Sequence, residues 1–193
     1  MSKVAITGNA SGTGVFTVAS PNSNVDRVLT LPDETGTVDT LQRSGNVVQV
    51  VNFQTGAVAT GTTVIPTDNT IPQITEGDQY MTLAITPTNS SNKLFIEVIW
   101  QGTYSRADYS CLALFVGATA DALAATLIIQ TTASFDFQNT LNHYMVAGVT
   151  TALTFSVRVG GNGSGTHTFN GRAGAAKMGG VMASSITITE YTA

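Results

Sequence analysis

The feature that most constrains this chain is the recurrence of short runs in which apolar and polar residues alternate, each closed by Gly, Pro, Asn or Ser. Gln79-Tyr80-Met81-Thr82-Leu83-Ala84-Ile85-Thr86, Lys93-Leu94-Phe95-Ile96-Glu97-Val98-Ile99-Trp100-Gln101 and Ser185-Ile186-Thr187-Ile188-Thr189-Glu190-Tyr191 are the clearest. A period of two puts successive side chains on opposite faces of a strand, so each run offers one apolar face to a core. Similar runs near 46–53, 60–66, 110–116, 124–130, 143–147, 152–159 and 165–170 complete about eight to ten strands. Many short strands with turns between them predict an antiparallel β-sandwich or jelly roll, with helix limited to a turn or two near 118–125.

Charge composition points the same way. Eight Lys/Arg and twelve Asp/Glu make up 10% of 193 residues, where roughly 25% is usual. The exposed faces must therefore be built from Thr, Ser, Asn and Gly, which favour strands and turns over helix. The 42% of hydrophobic residues suffice for a core. A net charge of −4, with the eight basic residues spread along the chain, argues against DNA or RNA as a partner. No stretch approaches the roughly 20 apolar residues of a membrane span, and Met-Ser-Lys-Val-Ala does not begin a secretion signal. The chain is expected to be soluble, made in a cytosol and without membrane insertion. Cys111, the single cysteine, excludes an intrachain disulfide or a cysteine zinc cluster, and its apolar run makes it a buried thiol.

Residues 1–45 differ from 46–193. They carry one aromatic, Phe16, and read as very short strands broken by turn residues. Such a segment buries too little apolar area to offset chain entropy of about 1 to 2 kcal/mol per residue. It must dock on a larger body or pair with copies of itself. Two domains are expected: an N-terminal attachment segment, 1–45, and a sandwich head, 46–193.

Catalytic signals are weak. Gly8-Asn9-Ala10-Ser11-Gly12-Thr13-Gly14 lacks the Lys-Ser/Thr ending of a phosphate loop and reads as a hairpin turn. A two-histidine metal site of His143 and His167 with Asp136 or Asp121 is geometrically possible, yet nothing in the spacing demands it, and the few carboxylates form no evident acid/base pair. Gly163-Ser164-Gly165 is a flexible loop and not a nucleophile elbow. No catalytic, metal or cofactor residue is assigned, and the chain is expected not to be an enzyme. The Gly-rich stretches 160–165 and 171–180 carry or adjoin Arg158, Arg172 and Lys177 and read equally as binding loops or as places of close backbone approach. The surface-binding candidates are Tyr104, Arg106, Asp108, Asn162, Arg172 and Lys177. Aromatic residues such as Tyr109, Phe135, Phe137 and Tyr144 suit either sugar stacking or core and subunit contacts.

The stretch Asn24-Val25-Asp26-Arg27-Val28-Leu29-Thr30-Leu31-Pro32-Asp33-Glu34-Thr35-Gly36-Thr37 resembles a segment that recurs in fibre proteins of tailed bacteriophages. Gly45-Asn46-Val47-Val48-Gln49-Val50, Leu83 through Val98, and the closing Ser184 through Glu190 are similar to the distal domains of such fibres. The resemblance implies a homotrimer, an intertwined β shaft, a distal β-sandwich head and attachment to other virion proteins, and it supplies no catalytic residues. Three wrapped copies of the N-terminal segment would bury Val15, Val18, Val28, Leu29 and Leu31. Fibre-like sequence begins at Val4, with no extended adaptor or coiled coil before it, which suggests a short spike. The expected role is a virion fibre whose head contacts a host-surface glycan or protein. The alternative is a capsid decoration protein or head fibre.

Overall fold

The computed structural model describes residues 11–13, 15, 17, 22, 24–26, 28 and 44–193. Those from Ser44 onward belong to one compact unit. It is built almost wholly of strands: β1 (Val47–Thr55), β2 (Ala59–Gly61), β3 (Asp78–Ile85), β4 (Lys93–Tyr104), β5 (Tyr109–Val116), β6 (Ala124–Ile129), β7 (Asp136–Val146), β8 (Leu153–Gly161), β9 (His167–Phe169), β10 (Gly171–Arg172), β11 (Ala175–Ala176) and β12 (Ser184–Tyr191). One 3₁₀ turn, Met178–Gly180, is the helical element among the described residues. The helical turn expected near 118–125 is replaced by irregular chain leading into β6.

The larger sheet runs β1-β12-β4-β7, with β9 and β2 extending it beside the far end of β4. The smaller sheet runs β3-β8-β5-β6. With the four shortest strands set aside, the eight long ones pair in chain order as first-last-third-sixth and second-seventh-fourth-fifth. That antiparallel connectivity is the jelly roll, which viral capsid domains, lectins and cupins share. The fold therefore narrows architecture without choosing function.

The core lies between the sheets because the inward face of each alternating run is apolar. Leu94, Ile96, Val98 and Trp100 of β4 and Ile186 and Ile188 of β12 meet Met81, Ile85, Leu112, Leu114, Phe155, Val157 and Val159 of the smaller sheet. Burial at roughly 25 cal/mol per Å² makes this contact the dominant stabilising term. The run Cys111–Phe115 does not alternate in burial, because the outward face of β5 is covered too. Ile65 and Ile74, from the connection before β3, pack on Cys111, Ala113 and Phe115. Burial pushes the Cys111 thiol up to about 11, with Glu76 adding in the same direction, so this sulfur is an inert packing group.

Glu190 continues the inward face of Ile186 and Ile188 and is fully buried. Its carboxylate accepts from Gln49 Nε2, Asn92 Nδ2, and both the backbone and hydroxyl of Thr88. Burial pushes its pKa up, and these hydrogen bonds more than offset that, leaving it below the ordinary carboxylate value. The cluster fastens the β3–β4 connection to the sheet beside the point where residue 44 enters. There Gly45 N donates to Thr192 O at 3.0 Å and Asn46 N to Thr192 Oγ1 at 3.0 Å.

Candidate functional site

Strand directions place the connections β1–β3, β4–β5, β6–β7 and β8–β12 at one end of the jelly roll. All four contribute to one cleft of about 360 Å³, lined by Thr60, Thr103, Ser105, Ser134, Thr166, Thr168, Ala173 and Gly174. No lining side chain is ionisable, and six of the eight carry a hydroxyl. The hydroxyls are part of a local scaffold: Thr166 N donates to Ser105 Oγ at 2.8 Å, Gly174 N to Thr168 Oγ1 at 3.1 Å, and Thr103 Oγ1 to Gly171 O at 3.2 Å. Each hydroxyl still has spare donor or acceptor capacity.

Backbone strain concentrates at the walls. Ser134 (φ 57°) and Ala173 (φ 52°) hold the left-handed conformation that residues with a Cβ rarely adopt. Ala173 and Gly174 are the two central residues of the β10–β11 hairpin, both at positive φ, where Asn or Gly is usual at each position. Strain of this kind is held only where the surroundings over-determine it.

Strand alternation explains the cleft floor. Thr103 and Ser105 face the cleft while Tyr104 between them faces the core; Thr166 and Thr168 do the same around His167. Tyr104 and His167 stack, ring centroids 4.2 Å apart and 7° from parallel. His167 Nε2 lies 2.9 Å from Ser110 Oγ of the opposite sheet, and Tyr104 donates its hydroxyl to Gly163 O at 2.6 Å. A Cβ on Gly161 would collide with the Tyr104 ring, so glycine is needed for that close approach. Burial pushes the His167 pKa down to about 4, against a smaller upward pull from Asp78. Ser110, His167 and Asp78 invite comparison with a hydrolytic triad. Ser110 and His167 are buried, however, and Asp78 accepts from the backbone and hydroxyl of Thr63 at 2.8 Å each. The three side chains form a polar plug beneath the cleft.

The sequence candidates fall into two groups on either flank. Arg106 and Asp108 sit 3.9 Å apart in the β4–β5 connection, where Arg106 Nη1 also reaches Ser164 O. Asn162 Oδ1 accepts from the backbone and hydroxyl of Thr67, which ties two connections together. On the other flank Arg172 pairs with Asp136, and Lys177 borders a second depression with Gln101, Asp136, Phe137 and Met178. Tyr104 departs from the expectation: it is a buried strand residue, not an exposed loop one, because it occupies the inward phase of β4. None of the six lines the cleft itself. Sequence reasoning missed the hydroxyls, whose only signal is the flanking of Tyr104 and His167 by Thr or Ser on both sides. Of the expected shaft residues, Val15 and Val28 are about 90% and 91% exposed, while Val18, Leu29 and Leu31 lie outside the described residues. Among the described residues, no group of three or more His, Cys, Asp or Glu side chains comes together as a metal site, and no helix is long and apolar enough to cross a membrane.

The chain matches no protein family and no curated protein by sequence. Solved structures overlap it weakly. Dimeric latent PorU from Porphyromonas gingivalis has 8% identity and a TM-score of 0.37, over 78% of this chain and 14% of that one. The VP2 subviral particle of infectious bursal disease virus has 11% identity and a TM-score of 0.34, over 86% and 42%. The chain spans less than half the length of either. Scores this low assign neither a fold family nor a function.

Proposed function

We propose that the chain is a short, non-enzymatic, trimeric fibre of a tailed-phage virion, docked on other virion proteins through residues 1–45 and binding a neutral host-surface glycan in the cleft. One observation carries the reading. Residue 44 enters beside Tyr191 and Lys93, at one end of β4, while the cleft lies beyond Thr103 at the other. Twelve residues of strand separate the two by about 36 Å. A head tethered at the first end presents all four connections of the second outward, which is the geometry of a distal binding tip. The hydroxyl lining supplies paired donors and acceptors for sugar hydroxyls. The exposure of Val15 and Val28 in a single chain supports further copies around the N-terminal segment.

Binding of the labelled full chain to host cells, before and after periodate oxidation of their surface glycans, tests this reading. Thr60→Trp, which places a large ring in the cleft from an exposed position, should abolish periodate-sensitive binding. Unchanged binding by that variant would remove the cleft from the mechanism. A handful of copies per particle, by gel densitometry of purified virions, is expected; hundreds would indicate the capsid decoration protein instead.

A further inference from the structure

The connection between β6 and β7 has a second side. Ser134 lines the cleft, while its neighbour Phe135, with Gln130, Thr131 and Thr132, lines a separate depression of about 260 Å³ at the end of β6. The apolar part of that depression is Ile128, Ile129 and two phenyl rings. Phe135 is 64% and Ile129 57% exposed, whereas Phe137 is half-buried and packs on Trp100 of the core, ring centroids 5.2 Å apart. No lining side chain is ionisable. Among the polar residues Gln130 stands out, because it is only 5% exposed. Its backbone N donates to Asp108 O at 3.0 Å and its Nε2 to Phe135 O at 3.3 Å. The second bond fixes the amide, since the reverse orientation would set Oε1 against a carbonyl oxygen. Oε1 is then buried and accepts from no protein group. Buried acceptors nearly always have a donor, and leaving one unmet is costly.

We infer that this depression is a second subsite, holding one neutral sugar ring whose hydroxyl donates to Gln130 Oε1. Volume decides the size of the occupant: the space lies below the roughly 300 to 1,000 Å³ of pockets for drug-sized ligands and suits a single ring. The lining decides its charge. Neither a carboxylate nor an ammonium group gains a counter-charge here to offset its desolvation. The pairing of an exposed phenyl ring with hydroxyls and an amide oxygen decides its class. A wholly apolar ligand would seal Oε1 away from any donor, and a ligand polar on every side would lose water against Phe135 and Ile129 without return. A pyranose has both parts, an apolar C–H face and hydroxyls around its rim. Ser134 and Phe135 are consecutive, their Cα atoms about 3.8 Å apart, so a single thickness of chain divides this depression from the cleft. The inference rests on the glycan reading for the presence of such a ligand, and adds where a further ring of it sits.

Nuclear magnetic resonance of the full chain with labelled isoleucine methyl groups tests it, with glucose, galactose, mannose and N-acetylglucosamine as probes at millimolar concentration. At least one of these sugars should shift the Ile128 and Ile129 methyl signals saturably. Phe135→Ala should weaken that binding about tenfold and Gln130→Met about fivefold. Thr60→Trp, which fills the cleft, should leave it unchanged. If Gln130→Met fails to fold, Phe135→Ala decides alone, since that ring is exposed. No shift with any of the sugars overturns the inference and leaves Oε1 to water. Binding undiminished in both variants overturns it as well, and so does a response to hexanol in place of the sugars, which would mark an apolar-ligand site. Periodate-sensitive cell binding by Thr60→Trp, read separately, distinguishes failure of the cleft from failure of this subsite.

Discussion

His167 offers the sharpest perturbation, because one proton should loosen the floor of the cleft. Its ring is buried between Tyr104 and Trp100, with Nε2 on Ser110. Burial holds its pKa at about 4, against 6.5 for an unperturbed imidazole. Between those values the unfolded chain binds a proton that the folded chain refuses, so stability present above pH 6.5 is lost as pH falls toward 4. At about 1.4 kcal/mol per unit of difference, the loss from pH 7.5 is about 2 kcal/mol by pH 5 and about 3 kcal/mol by pH 4. With a urea slope of about 2 kcal/mol/M, the midpoint should drop by roughly 1 M between pH 7.5 and pH 5. His167→Gln keeps a group able to hydrogen-bond Ser110 and removes the titration. His143, whose pKa burial also lowers, should be replaced in both proteins so that it cannot contribute. Urea titrations at half-unit intervals should then give a sloping stability for the His167 protein and a flat one for the variant. Parallel curves from pH 7.5 to pH 5 would refute the assignment of a neutral, buried imidazole.

Two further outcomes follow from the packing. Glu190→Ala strands the buried Asn92 amide, while Gln49 and the exposed Thr88 can turn to water, and should cost about 1 to 3 kcal/mol in urea unfolding; the wild type itself should lose that contribution as pH falls below 4.5 through the lowered carboxyl pKa. Gly161→Ala forces a methyl group into the Tyr104 ring and should cost about 1 to 3 kcal/mol, visible as a lower Tm. An unchanged Tm would mean that the Tyr104 ring has room to move.

The period-two runs located most strands because one face of each is buried and the other is polar. The reading failed where burial did not follow that rule. β7 begins at Asp136, seven residues before the run starting at His143, because Gln138, Asn139 and Thr140 read as loop although Asn139 is a buried strand residue. The segment 62–66 looked like a strand for the opposite reason: Ile65 is apolar because it covers the outer face of β5, not because it pairs in a sheet. The unbroken burial of Cys111–Phe115 signals a strand covered on both faces, and nothing local says what does the covering.

The cleft was harder to see for a related reason. Its hydroxyls come from four connections far apart in the chain, and a threonine in a threonine-rich β protein carries almost no individual information. Charged and aromatic loop residues drew attention instead, yet Arg172 is occupied by Asp136, Asn162 by Thr67, and Tyr104 by the core. What makes the hydroxyls a site is connectivity. Once β4 runs the length of the sheet, alternate connections must emerge at the same end, and residues at their roots converge whatever their separation in sequence. The scarcity of charge then has a specific consequence for recognition. A cleft without ionisable groups binds through many weak, directional hydrogen bonds, each net worth only about 1 kcal/mol, so single-site affinity is modest. In the proposed fibre, several heads held together on one particle would multiply that affinity through effective concentration.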